Sequence, residues 1–244
     1  MKTLILIPSR LSATRLPGKP LLKIKGKSVI SHVVQKAEQA NIGEVFVATE
    51  DKEIIADVNQ NGGKAILTKN IHKTGTDRIY EALNKLGKSD IELVMNLQGD
   101  EPLMDVEDIV NLHNQMIKSN SQLGTLASKI ENESFFKSEN IVKVITTNSF
   151  EKSEFPEALD FSRKLLNVSE NTYQHLGIYC YQLKTLENFV SLKQSGREIK
   201  NRLEQLRALD NNIKINVAQA KSSPIGVDTE EDFLAIKKIM EYKS

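Results

Sequence analysis

The chain has 244 residues, of which 39% are hydrophobic and 27% charged, and its formal net charge is +1. That supplies a substantial core, while the balanced charge, the absence of Trp and the few aromatics give neither a nucleic-acid surface nor a base-stacking platform. No apolar run approaches the roughly 18 to 20 residues that span a bilayer, and the single cysteine, Cys180, excludes an intramolecular disulfide.

Met1-Lys2-Thr3 passes directly into Leu4-Ile5-Leu6-Ile7-Pro8, too short for a signal h-region and without a small-residue cleavage site, so a cytoplasmic chain is expected. A first strand over 3–7 then opens into Pro8-Ser9-Arg10-Leu11-Ser12-Ala13-Thr14-Arg15-Leu16-Pro17-Gly18-Lys19-Pro20. Backbone N–H groups of such a loop can point at phosphate oxygens while Arg10, Arg15 and Lys19 neutralise charge, which suits a polyphosphate. A solvated basic turn is the alternative. Neither G-x-x-x-x-G-K-[ST] nor G-x-G-x-x-G occurs, so P-loop and dinucleotide readings lack their fingerprint.

Apolar strand-like runs at 44–48, 64–67 and 92–97 follow, separated by segments of helical period. Ser28 can cap a helix with Val29, Ile30, Val33, Val34 and Ala37 on its core face. Helices over 53–59, 76–86 and 105–117 each carry an apolar stripe, and Asn61-Gly62-Gly63 stops the first of these. The alternation predicts a doubly wound α/β fold with a parallel sheet. From about residue 123 strands dominate, at 123–130, 141–146, 158–162 and 175–181, with loops at 131–140 and 148–152. Helices at 183–192 and 198–209, a strand at 213–218 and a last helix at 230–242 complete the order. Cys180 lies in an apolar-aromatic run, where a packed thiol is expected before a nucleophile.

Ligands of open α/β sheets sit beyond the carboxyl ends of the strands, which directs attention to three segments. They are the basic loop, His72-Lys73-Thr74-Gly75-Thr76-Asp77-Arg78, and Gln98-Gly99-Asp100-Glu101-Pro102. Thr76 also reads as an N-cap before Asp77, and Gly99-Asp100 as a simple turn. An acid at a strand end facing a cationic loop meets the needs of a magnesium-bound triphosphate. Asp100 is the first candidate, and Asp228 in Gly226-Val227-Asp228-Thr229-Glu230-Glu231-Asp232 the second. Acids at a helix start also serve the dipole without any metal.

Together with Phe161-Ser162-Arg163, His175-Leu176-Gly177-Ile178-Tyr179 and Leu203-Glu204-Gln205-Leu206-Arg207, these motifs run nearly end to end in one order. In them the chain resembles the 3-deoxy-manno-octulosonate cytidylyltransferase family. The resemblance implies a doubly wound, mostly parallel sheet of the nucleotide-diphospho-sugar transferase type with a smaller strand-rich extension. It also implies a single domain over 1–244, with a nucleotide-binding half at 1–122 and a sugar-binding and dimerisation half at 123–244.

The implied reaction joins CTP and 3-deoxy-manno-octulosonate into a CMP-sugar with release of pyrophosphate, with magnesium as cofactor, in a homodimeric enzyme of lipopolysaccharide biosynthesis. Carried onto matching positions, Arg10 and Lys19 with Asp100 and Asp228 form the catalytic set. Pro8, Ser9, Arg10, Arg15, Lys19, Thr76 and Arg78 bind the nucleotide, and Asp100 and Asp228 hold metal. Gln98, Arg163, His175, Tyr179, Glu204 and Gln205 line the sugar pocket. Asp160, the run Lys164-Leu165-Leu166-Asn167 and Asn201 depart from the family pattern on the sugar side. The 8-amino sugar acid, an N-acylneuraminate and a catalytically silent nucleotide binder are therefore the alternatives.

Overall fold

A computed structural model describes residues 1–12, 15–130, 132, 134–165 and 169–242. The first elements are β1 (Thr3–Ser9), β2 (Lys23–Ile24), β3 (Lys27–Ser28), α1 (Val29–Gln39), β4 (Gly43–Thr49), α2 (Lys52–Gln60), β5 (Ala65–Leu67), α3 (Gly75–Leu86) and β6 (Leu93–Asn96). Then come α4 (Val106–Ser119), β7 (Leu123–Ser128), α5 (Ser134–Lys137), β8 (Lys143–Thr146), β9 (Ala158–Ser162) and β10 (Thr172–Gln182). The chain closes with α6 (Leu183–Ser191), α7 (Gly196–Asn201), α8 (Leu206–Asp210), β11 (Ile215–Gln219) and α9 (Glu230–Tyr242).

Two compact units form, one of residues 2–109 with 224–244, the other of 110–223 with Met1. The C-terminal segment thus folds with the N-terminal residues. Val227 and Ile236 share a buried cluster with Ile24 and Val29, and Leu16 and Phe233 pack against it.

In the first unit β1 lies parallel between β4 and β6, and β4 carries β5 parallel on its far side. Leu4, Ile5, Leu6 and Ile7 are completely buried, as expected of a central parallel strand covered on both faces. Ser28 caps α1 by accepting from the Ser31 N–H, as the sequence predicts. The α3 cap differs from expectation. Thr74 accepts from the Asp77 N–H, and Thr76 falls inside the first turn, buried. A cap must stand outside the helix with extended φ/ψ, and helix begins at Gly75, so Thr74 takes the role.

In the second unit β7 pairs antiparallel with β10 and parallel with β11. A further antiparallel ladder links β10 to β8 and β8 to β9. The helix expected over 198–209 is two pieces, α7 and α8, because Arg202 takes a left-handed conformation at φ 53° and ends the first. The loop expected over 131–140 contains the single turn α5.

Candidate active site

A cleft of about 380 Å³ opens at the carboxyl ends of β1 and β6. Lining it from the sequence-predicted set are Pro8, Ser9, Arg10, Arg15, Lys19, Arg78, Gln98, Asp100 and Asp228, joined by His72, Lys73, Thr74 and Gly75. The basic loop is closed by a hydrogen bond from the Gly18 N–H to the Leu11 carbonyl, 3.0 Å. Gly18 sits at φ 74°, a conformation glycine adopts without penalty. The Leu11 N–H donates to Asp51 Oδ2 at 2.7 Å and ties the loop to the end of β4. Ala13 and Thr14 lie outside the described residues.

Gly99 brings the 98–102 segment close to the basic loop. A Cβ there would lie 3.0 Å from the Pro8 carbonyl oxygen and 3.1 Å from Ile30 Cδ1, tighter than side-chain carbons normally pack. The 226–232 run is held by the Val227 N–H, which donates to the Asp100 carbonyl at 2.8 Å, while the Val227 side chain is buried. Asp228 is placed by that anchor. Within the same acidic run Asp232 serves the chain itself, since its Oδ2 accepts from the Thr229 N–H and hydroxyl at 2.9 and 2.8 Å, and Thr229 Oγ1 accepts from the Asp232 N–H. The dipole-and-cap reading therefore fits Asp232, whereas Asp228 faces the cleft.

Lys19 is the centre of the charge pattern. Its Nζ donates to Asp100 Oδ2 at 2.5 Å, to the Val227 carbonyl at 2.8 Å and to Asp228 Oδ1 at 3.1 Å. Burial works against the ammonium, but Asp100 and Asp228 outweigh it and raise the Lys19 pKa. Arg15 Nη2 donates to the other Asp228 oxygen at 2.9 Å. One ammonium thus draws two carboxylates to a single point.

Neighbouring Glu101, part of a recognised motif but given no role by the sequence, has a buried Oε2 with no hydrogen-bond partner. Burial first, and then the charges of Asp100 and Asp228, push its carboxyl up to about 8.

Two predicted nucleotide residues are placed differently from the rest. Thr76 is absent from the cleft lining, and its buried Oγ1 has no hydrogen-bond partner among the described residues. Arg78 reaches the lining, yet its guanidinium pairs with Glu50 and donates to Thr68 Oγ1 at 2.6 Å and the Lys69 carbonyl at 3.3 Å. His72 meets Glu81, whose carboxyl falls to about 2 because Lys85, His72 and the Lys69 N–H together overcome its burial.

In the second unit, Arg163 follows β9 and donates from Nε to the Asn201 carbonyl at 3.3 Å and from Nη1 to the Glu139 carbonyl at 3.1 Å. Lys143, completely buried, fixes the Arg163 backbone. Its Nζ donates to the carbonyls of Ser138, Ile141 and Arg163 at 2.5, 3.0 and 2.6 Å. A single Lys in an apolar strand gives no sequence signal for that role. His175 packs edge-on to Phe161 with centroids 5.0 Å apart, and lies 5.6 Å from Tyr179. Burial pushes its imidazole down to about 3, so it is neutral.

Glu204 and the buried Gln205 occupy the turn between α7 and α8, and Glu204 Oε1 stands 3.7 Å from Arg207 Nη2. Of the family departures, Asp160 pairs with Arg197, and Asn201 supplies the carbonyl that Arg163 uses. Leu166 and Asn167 lie outside the described residues. Cys180 is buried, and burial pushes its thiol up to about 12, as a packed thiol requires.

A mostly parallel sheet with crossover helices and a strand-end cleft lined by cations and paired acids defines a nucleotidyltransferase-type α/β protein. UDP-glucose pyrophosphorylase in complex with UDP-glucose shares this fold at a TM-score of 0.74 and 17% identity, with all of both chains covered. The cytidylyltransferase family model matches residues 4–215. The 3-deoxy-manno-octulosonate cytidylyltransferase of Thermodesulfovibrio yellowstonii is 43% identical over 98% of each chain, and that of Bartonella tribocorum 39% identical over 98% of this chain and 99% of its own. A structure of CMP:2-keto-3-deoxy-manno-octonic acid synthetase complexed with CTP superposes with a TM-score of 0.90 at 35% identity, with complete coverage of both chains. This chain belongs to the 3-deoxy-manno-octulosonate cytidylyltransferase family.

Proposed function

We propose that the protein forms CMP-3-deoxy-manno-octulosonate and pyrophosphate from CTP and 3-deoxy-manno-octulosonate. The carrying observation is the convergence of Lys19, Arg15, Asp100 and Asp228 at one point of a strand-end cleft, in a chain of this family. The anomeric hydroxyl oxygen of the sugar acid bonds to the α-phosphorus of CTP. The bond to the bridging oxygen breaks, pyrophosphate departs with the electron pair, and the hydroxyl proton is released to water. Such transfers depend on positioning and electrostatic relief, so no protein nucleophile is needed.

Arg10, Arg15 and Lys19 offset the charge of the triphosphate. Pro8 and Ser9 bound the nucleoside end with Thr74 and Gly75. The donor set fits magnesium, because that ion takes one or two carboxylates and leaves its other positions to phosphate oxygens and water. Asp100 and Asp228, which already share one cation, would hold it, and when bound it would offset charge on the phosphates and the leaving pyrophosphate. Lys19 would then turn its Nζ from the two acids to a phosphate oxygen.

For the sugar acid, a planar guanidinium matches a carboxylate, which assigns Arg163 to that group. His175, Tyr179, Glu204, Gln205 and Gln98 offer bonds to hydroxyls. Among the described residues no helix is long and apolar enough to cross a membrane. A cytoplasmic homodimer that activates the sugar acid for lipopolysaccharide biosynthesis completes the proposal.

Pyrophosphate release tests it, with CTP, ATP or GTP against a panel of 3-deoxy-manno-octulosonate, its 8-amino form and an N-acylneuraminate. Release from CTP with the first sugar acid is expected. Faster release with either of the others would reassign the substrate, and none with any pair would leave a silent nucleotide binder.

A further inference from the structure

The bulge in β10 is built around one buried hydroxyl. The register of β10 against β7 shifts between Leu176 and Tyr179. Thr125 of β7, completely buried, directs its Oγ1 into the irregularity. That oxygen lies 2.7 Å from the Ile178 carbonyl, 3.2 Å from the Leu176 carbonyl and 3.0 Å from His175 Nε2.

Counting hydrogens fixes the imidazole. A threonine hydroxyl has one hydrogen and two lone pairs, and a carbonyl can only accept. The 2.7 Å contact with the Ile178 oxygen is the length of an O–H···O bond, so the hydroxyl hydrogen is committed to the backbone. The 3.0 Å contact with His175 is then satisfied only if the ring donates, with its hydrogen on Nε2. A neutral imidazole carrying that hydrogen has a bare Nδ1 with an in-plane lone pair.

We propose that Thr125 is a positioning residue: it holds His175 as the Nε2–H tautomer, so that Nδ1 accepts a hydrogen bond from a hydroxyl of the sugar acid. This rests on the assignment of His175 to the sugar acid made above. The low pKa from burial agrees with it, since a protonated ring would donate from both nitrogens and lose its acceptor. The bulge turns Thr125 away from a pure ladder role. Its one hydroxyl hydrogen serves a backbone carbonyl beside the register shift, and a lone pair of the same oxygen receives the ring.

The chain has four histidines, so two-bond proton–nitrogen correlation spectra can assign each imidazole, with a His175→Phe protein identifying the relevant signals. In the wild-type protein His175 should show a protonated Nε2 and a bare Nδ1. A protonated Nδ1 would overturn the proposal. Thr125→Val should mix or reverse the tautomer and raise the sugar-acid KM about tenfold with the CTP KM little changed, the loss of roughly one hydrogen bond. Thr125→Ser should restore both. A Val variant with the native tautomer and native sugar-acid KM would overturn the positioning role. The Phe variant tests the underlying assignment separately: an unchanged sugar-acid KM there would remove His175 from the sugar and with it the acceptor role, while the wild-type spectrum still reports the tautomer.

Discussion

The conspicuous run Leu203-Glu204-Gln205-Leu206-Arg207 ends in a residue that holds the fold together. Arg207 is 2% exposed, and its Nε and Nη2 reach the two oxygens of Glu198, itself 3% exposed, at 2.9 and 2.6 Å. Glu198 also closes the capping box of α7 with Ser195 and accepts from Gln194 at 3.0 Å, and the guanidinium lies 4.6 Å over the Phe189 ring. Burial alone would raise the Glu198 pKa, but Arg207, Gln194 and the Ser195 N–H bring it below its ordinary value.

Replacing Arg207 with Met keeps the apolar stem and strands a buried carboxylate, which should cost about 3 to 5 kcal/mol at pH 7. At roughly 2 to 4 °C per kcal/mol for a chain of this size, Tm should fall by about 6 to 20 °C. The sign with pH follows from the lowered carboxylate. The pair's contribution is complete above the unfolded carboxylate pKa and is lost as pH falls through the lower folded value, so the gap between variant and wild type should narrow in acid. Glu198→Gln in the Arg207→Met background should recover part of the loss. Calorimetry of these two variants, the Glu198→Gln single variant and the wild type at pH 7 and pH 4 checks this, and a Tm change under about 2 °C or a pH-independent gap would refute the reasoning.

Glu101→Gln should stabilise the ligand-free protein increasingly as pH rises from about 5 to 8, with a slope of at most about 1.4 kcal/mol per pH unit, because a carboxyl held near 8 contributes stability below its unfolded pKa and loses it up to the folded one. Chemical denaturation at three pH values measures it. Asp100→Ala and Asp228→Ala should each abolish turnover with the fold retained by circular dichroism, and near-normal activity in saturating magnesium would remove that carboxylate from the metal set. Arg163→Lys should weaken transition-state binding by about 1.5 to 3 kcal/mol, seen as a reduced kcat/KM for the sugar acid at unchanged CTP KM. Loss of CTP affinity instead would move Arg163 to the triphosphate.

Elements whose local chemistry and burial agree were legible in the sequence. Ser28 before an apolar stripe gave α1, and the acidic start and apolar spacing of 230–242 gave α9. The cluster of Arg10, Arg15 and Lys19 after a buried strand was legible too, and the structure brings Lys19 and Arg15 against Asp100 and Asp228. Elements set by distant partners were not. The break at Arg202 has no Gly or Pro to announce it, and is fixed by the Leu203 N–H bonding back to the Glu198 carbonyl while Arg207 folds onto the Glu198 side chain. Thr74 and Thr76 are equivalent as sequence, and only the start of the helix decides between them.

The same division explains why the acids of this cleft are harder to read than its cations. An exposed Arg or Lys in a loop acts through its own charge, and composition reports it. A carboxylate acts through what surrounds it: Asp100 and Asp228 are drawn together by Lys19, Asp232 is consumed by a cap, and Glu101 stays protonated near neutral pH because it is buried beside two like charges. Four acids in two short motifs thus have three different electrostatic fates. Lys19 separates the pair from the others, since burial works against its ammonium and the two neighbouring carboxylates outweigh that burial and raise its pKa. The proposed divalent cation would thus take the place between Asp100 and Asp228 where Lys19 Nζ now pairs with both.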